Sequence, residues 1–165
     1  MNRTVKTLSL LVFLSGFTSM VIPQSSFVKH TISTTTGQPM DVTVSLINND
    51  LFPDLATVST TNGEVAWWEN NGNSAFTKHT VRTGFAGGRS IRAGDVDGDG
   101  DFDLVAASWS GNRIEWYENN GSHVFETRLL DGAFRGAHTV QLKDLDQDGD
   151  LDIICSGWDN TISLS

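Results

Sequence analysis

Asp95, Asp97, Asp99, Asp101 and Asp103 occupy alternate positions of the stretch 95–103. Asp144, Asp146, Asp148, Asp150 and Asp152 do the same in 144–152. Carboxylates at alternate positions of a tight loop point at one another, and without a counter-charge they repel. A calcium ion, which takes 6–8 oxygen ligands, supplies that charge. Side-chain oxygens are expected from positions 1, 3, 5 and 9, that is Asp95, Asp97, Asp99 and Asp103, and Asp144, Asp146, Asp148 and Asp152. Asp101 and Asp150, at position 7, are expected to offer backbone carbonyls, with water completing the shell. Two Ca²⁺ sites follow. Mg²⁺ suits such an all-protein oxygen cage less well. Gly100 and Gly149 stand at position 6, where a tight loop needs a permissive backbone.

An EF-hand begins in the same way, but it requires Glu at position 12 and flanking helices. Position 12 is Ala106 in one loop and Cys155 in the other, both within apolar, strand-like runs. That excludes the EF-hand and weighs against other loops that ligate from position 12. An earlier copy of the loop is degenerate. Leu46, Asn48, Asp50, Phe52 and Asp54 fill its odd positions, and Leu51 replaces the glycine. It predicts no tight metal site. Asp54 is expected to be kept for a hydrogen bond at the start of a strand.

The elements that position these loops repeat. Trp67-Trp68-Glu69-Asn70-Asn71-Gly72 returns 49 residues later as Trp116-Tyr117-Glu118-Asn119-Asn120-Gly121, and the two Asp loops are also 49 apart. Phe27–Ile32 matches Phe76–Val81 at the same offset. Each unit reads as four short strands between Gly, Asn and Asp turns, with no helical period. The middle unit places strands over 89–96, 103–108, 114–117 and 124–130. A four-strand unit of this length is the size of a propeller blade. The predicted fold is therefore all-β, with about three blades over 39–81, 88–130 and 137–165, and a lone fourth strand at 26–32. Closed propellers have about four to eight blades, so an incomplete propeller is expected, completed by further blades or by self-association.

The formal net charge is −9, from 20 acidic and 11 basic residues. Nucleic acid is an unsuitable partner for such a chain, because phosphate binding needs Lys/Arg stripes. Cys155 is the only cysteine; it excludes an internal disulfide and reads as a small buried strand residue. Arg3 and Lys6 precede an apolar stretch from Leu8 to Phe17, the pattern of a secretory signal peptide over 1–22 with cleavage between 18 and 25. That stretch is too short to span a bilayer as a helix. A secreted location is expected, whether extracellular, periplasmic or at the cell surface, with no membrane span once the signal is removed.

The loops 95–103 and 144–152, the apolar runs after them and the Trp-Tyr-Glu-Asn-Asn-Gly element resemble the FG-GAP-like (VCBS) repeat family, found also in integrin α-subunit propellers. The resemblance covers nearly everything after the signal region. It implies a β-propeller with Ca²⁺ in loops linking adjacent strands, used for adhesion, ligand display or as an auxiliary module. No catalytic fingerprint accompanies it: His30, His79, His123 and His138 form no metal-protease spacing, and no nucleophile elbow or phosphate loop occurs. The expected function is a non-enzymatic binding or adhesion scaffold with a protein or carbohydrate ligand. The alternative is an auxiliary or carbohydrate-binding propeller of a secreted polysaccharide-active enzyme. For that reading, Trp109 and Trp158 are repeat-equivalent aromatics, expected to be exposed on a common face.

Overall fold

The computed structural model describes residues 29–158 and the backbone of 162–164. The expected signal peptide lies outside these residues. Contacts divide the chain into Met1–His30 and Thr31–Ser165. In the first unit only Lys29 and His30 are described, and both are exposed.

The second unit is all-β. Its strands are β1 (Pro39–Ser45), β2 (Asp54–Ser59), β3 (Val65–Asn70), β4 (Phe76–Arg82), β5 (Gly88–Gly94), β6 (Asp103–Ser108), β7 (Arg113–Asn119), β8 (Phe125–Asp131), β9 (Thr139–Lys143), β10 (Asp152–Ser156) and β11 (Ile162–Leu164). They form three antiparallel sheets in simple up-and-down order: β1-β2-β3-β4 (blade A), β5-β6-β7-β8 (blade B) and β9-β10-β11 (blade C). Antiparallel neighbours need only short turns, and Gly, Asn and Asp supply those turns. This is the architecture of propeller blades, in an arc consistent with an incomplete propeller.

The expected strand over 26–32 falls partly outside the described residues. Within them, 29–32 belong to no strand. A strand forms only where a neighbouring edge takes its backbone hydrogen bonds, and no ladder among the described residues includes this segment.

Burial follows position within a blade. Every residue of β6 is buried, as expected of a strand covered on both faces. The outermost strand β8 has only Phe125 partly covered. The core consists of two clusters, each at a junction between sheets. Ile47, Ala56, Val58, Trp67, Ile91 and Leu104 belong to the junction of blades A and B. Val105, Ala107, Ile114, Phe134, Val140 and Ile153 belong to that of B and C. Burying a Val, Leu, Ile or Phe side chain contributes about 1.5–3 kcal/mol, so the junctions between blades carry much of the stability. Cys155 on β10 is buried in the second junction, and burial pushes its thiol up to about 11. It is a packing residue, as its apolar surroundings in sequence suggested.

Candidate metal centre

Each Asp loop joins the first strand of a blade to the second: 95–102 between β5 and β6, and 144–151 between β9 and β10. The two loops share one hydrogen-bond scheme. Asp95 accepts the Gly98 N–H at 2.9 Å on one oxygen and the Gly100 N–H at 3.1 Å on the other. Asp144 accepts Gln147 and Gly149 in the same way, at 2.7 and 3.2 Å. Asp97 and Asp99 each accept the N–H two residues on, and so do Asp146 and Asp148. These bonds curl the loop around its own carboxylates.

The curl needs left-handed backbone at two positions. At position 6, Gly100 and Gly149 have φ of 95° and 106°. At position 4, Gly98 and Gln147 have φ of 77° and 65°. A side chain is costly in that region, so the Gln147 backbone is held there against its own preference. The sequence pattern did not reveal this position.

The structure brings Asp95, Asp97 and Asp99 together in one loop, and Asp144, Asp146 and Asp152 in the other. In each set one oxygen per residue lies within 4.8 Å of the others. Both sets are oxygen-only, partly open to solvent, and carry three formal negative charges. Such a donor set fits a hard cation with water in the remaining positions. Partial desolvation, with the charges of Asp99, Glu118 and Asp95, raises the Asp97 pKa above the ordinary carboxylate range.

The other acidic residues are placed differently. Asp103 is fully buried, and both its oxygens are taken, accepting the Val96 N–H at 3.1 Å and the Asn119 N–H at 2.8 Å. Burial pushes its pKa to about 6, against the pull of those two donors. It is a structural tie between the loop and β7, outside the grouped carboxylates of its own loop. Asp152 accepts the Leu145 N–H at 2.9 Å on one oxygen and still joins the group in the third blade. Asp148 and Asp150 lie exposed, outside that group. Asp101 sends its carboxylate to the neighbouring blade, where it accepts Asn49 Nδ2 at 2.6 Å.

The first loop, 46–53, shows what replaces the cluster. Asn48 Nδ2 donates to Asp50 at 3.0 Å, so an amide offsets the carboxylate. Asp54 accepts the Asn48 and Asn70 N–H groups at 3.3 and 2.8 Å and is fully buried. The strand-start role read from its sequence position is thus observed.

Two matches to the FG-GAP-like repeat pattern span residues 47–106 and 95–155, together well over half of the chain. The chain belongs to the FG-GAP-like repeat family. No curated protein matches it. Within its FG-GAP-like repeats, the Asn of the aromatic element proves as important as the aspartates. Asn119 Nδ2 reaches the Ile47 carbonyl of blade A at 3.3 Å and the Phe102 carbonyl at 3.2 Å. The signal for it was available, since Asn70 and Asn119 recur in step with Asp54 and Asp103.

The remaining polar clusters of this FG-GAP-like repeat chain look structural. His79 stacks on Trp67 with ring centroids 4.3 Å apart and meets Glu69 at 2.9 Å, beside a cleft of about 520 Å³. Its repeat equivalent, Arg128, lies over Trp116 and pairs with Glu118. An arginine fills the same place, so both blades set a planar nitrogen-bearing side chain over a Trp ring and beside a glutamate. Trp109 and Trp158 do meet, at 5.2 Å and 78°. However, Trp109 is half-buried rather than exposed, with Arg89 over its ring and His138 at 5.7 Å. Among the described residues no helix is long and apolar enough to cross a membrane.

Proposed function

We propose that this chain is a secreted calcium-binding repeat module, a non-catalytic scaffold that presents a binding or adhesion surface to a protein or carbohydrate. The observation that carries the reading is the pair of three-carboxylate groups in equivalent loops. Ca²⁺ supplies the positive charge that each loop lacks. Asp95, Asp97 and Asp99 would hold it in blade B, and Asp144, Asp146 and Asp152 in blade C. Asp103, fully buried and outside that group, positions the loop against β7. Extracellular Ca²⁺ modules need affinities of only about 10⁻⁴–10⁻³ M, which partly open sites with water ligands can provide. Binding to the folded state alone stabilises it by mass action. The test is thermal unfolding in Ca²⁺ and in chelator. Asp97→Ala and Asp146→Ala should lower the melting temperature in Ca²⁺ and hardly change it in chelator. Equal losses in both conditions would defeat the reading.

A carbohydrate ligand is the second reading, and Trp158 favours it: the residue is 72% exposed. Trp109, with its ring faces engaged, would support Trp158 and not itself stack on sugar. A glycan array should then show binding that Trp158→Ala abolishes. Silence on the array, or binding indifferent to that change, would remove the carbohydrate.

A further inference from the structure

Two joints hold the three blades together, and they are built alike. At the first, Ile91 and Ala93 of β5 lie with Ile47, Ala56 and Val58 of blade A. At the second, Val140 and Leu142 of β9 lie with Val96, Val105 and Ala107 of blade B. Each residue of the second joint stands 49 positions after its counterpart in the first. A polar seam repeats as well. Asp41 accepts the Ile91 N–H at 3.1 Å, and Ser90 accepts the Val140 N–H at 3.4 Å.

The two halves of this joint each occur once more, on opposite ends of the arc. On blade A, Met40, Val42 and Val44 hold the positions of Arg89, Ile91 and Ala93, and they are 43%, 54% and 61% exposed. On blade C, Leu145, Ile154 and Ser156 hold the positions of Val96, Val105 and Ala107; Leu145 is 50% exposed. Beside them is Trp158, the repeat equivalent of Trp109. Exposed apolar residues grouped on one face mark an interaction site; on blade C, Leu145 and Trp158 are exposed while Ile154 and Ser156 are partly covered, and the form of the two faces is that of a joint the molecule already makes twice.

We infer that a second copy of this chain docks here, the outer face of blade A in one copy against the outer face of blade C in the other. Two copies meeting through both faces bring six blades into one ring, counting the three of each copy's described residues, within the range of about four to eight for closed propellers. The pair is a two-fold dimer, the commonest closed symmetry. Repeat equivalence sets its contacts. Met40 of one copy lies against Trp158 of the other, as His138 lies against Trp109, and its thioether suits an indole ring. The Thr139 hydroxyl, 49 residues after Ser90, comes opposite the Val42 N–H of the other copy, which in its own chain donates to Asp41 at 2.9 Å. This docking does not depend on the calcium reading, and mass measured in Ca²⁺ and in chelator separates the two.

The experiment is light scattering on the wild-type chain and on Val44→Asp and Trp158→Asp, with circular dichroism confirming that each folds. The wild type should have twice the chain mass, and each variant half of that. An equimolar mixture of the two variants should recover dimers, because each keeps the face the other has lost. A second measurement avoids any loss of folding: Met40→Cys mixed with Trp158→Cys should give a covalent heterodimer with a short bifunctional thiol reagent. A wild-type monomer across the concentration series would overturn the inference and leave the faces to further blades of a longer chain. A dimer untouched by either substitution, or a dimeric sample that yields no cross-link, would also overturn it.

Discussion

Loops 46–53 and 95–102 occupy the same place in successive blades and solve the same problem in opposite ways. Both must turn the chain sharply between the first and second strands and deliver a buried aspartate to the start of the second. Asp54 and Asp103 do this identically, each accepting one N–H from its loop and one from the third strand. The loops differ in what surrounds that tie. The first balances Asp50 with the Asn48 amide, and Leu51 takes the place of the left-handed glycine. The second gathers Asp95, Asp97 and Asp99 with one oxygen each within 4.8 Å of the others, and backbone N–H groups of the loop donate to all three. Blades A and B therefore share the buried aspartate, whereas the carboxylate cluster is an addition that blades B and C carry.

The largest effect expected from this contrast is that of calcium on blades B and C. At a hundredfold excess over Kd, one site adds about 2.7 kcal/mol. Two sites should raise the melting temperature by on the order of 10 °C in a chain of this size. Scanning calorimetry with and without chelator reads it, and the Asp97→Ala/Asp146→Ala double variant should lose nearly all of it.

The buried tie should behave in the opposite manner. Asp54→Ala strands the Asn48 and Asn70 N–H groups, and a buried donor left unmatched costs about 1–3 kcal/mol. Urea midpoints should fall by the same amount in Ca²⁺ and in chelator, since no cluster surrounds Asp54. A calcium-dependent loss would erase the distinction between tie and cluster.

Rebuilding the first loop sharpens the comparison further. Leu46→Asp, Asn48→Asp and Leu51→Gly together restore positions 1, 3 and 6. Leu51 is 91% exposed and Leu46 37% exposed, so packing sacrifices little. Calorimetric titration should then count one site more than in the wild type. An unchanged count would mean that blade A lacks something beyond these residues.

The smallest effect is one of pH. Asp103 binds its proton more tightly in the folded chain, near pH 6, than an ordinary aspartate does near 3.8. The folded state thus carries the extra proton, so this stabilisation is full below about pH 4 and is lost as pH rises through 6. Urea midpoints of the calcium-stripped chain from pH 4 to 7 should show that decline, flattened by Asp103→Asn. A decline unaltered by the substitution would place its origin elsewhere.

Much of this was legible in the residues. The Asp spacing is local chemistry, and it located both clusters. The alternation of apolar residues and the Gly/Asn turns placed β6 at 103–108, with the other strands of that blade displaced by no more than a few residues. What escaped was set mostly by residues distant along the chain. Asp103 reads as a ligand from its spacing, which gives no sign of the bond it accepts from Asn119, sixteen residues away. Asp101 gives no hint that Asn49 will claim its carboxylate. Trp109 reads as exposed because its cover, His138 and Trp158, comes from another sheet. Gln147 adopts a left-handed backbone because Asp144 accepts its N–H and that of Gly149, which curls the loop at a position no glycine marks.

The central claim is that two loops, and not the third, hold calcium. Calorimetric titration of the chain with Ca²⁺ tests it most directly. Two sites per chain, one lost in Asp97→Ala and the other in Asp146→Ala, is the predicted result. A folded sample that takes up no Ca²⁺ at millimolar concentration, or binding that survives both substitutions, would contradict it.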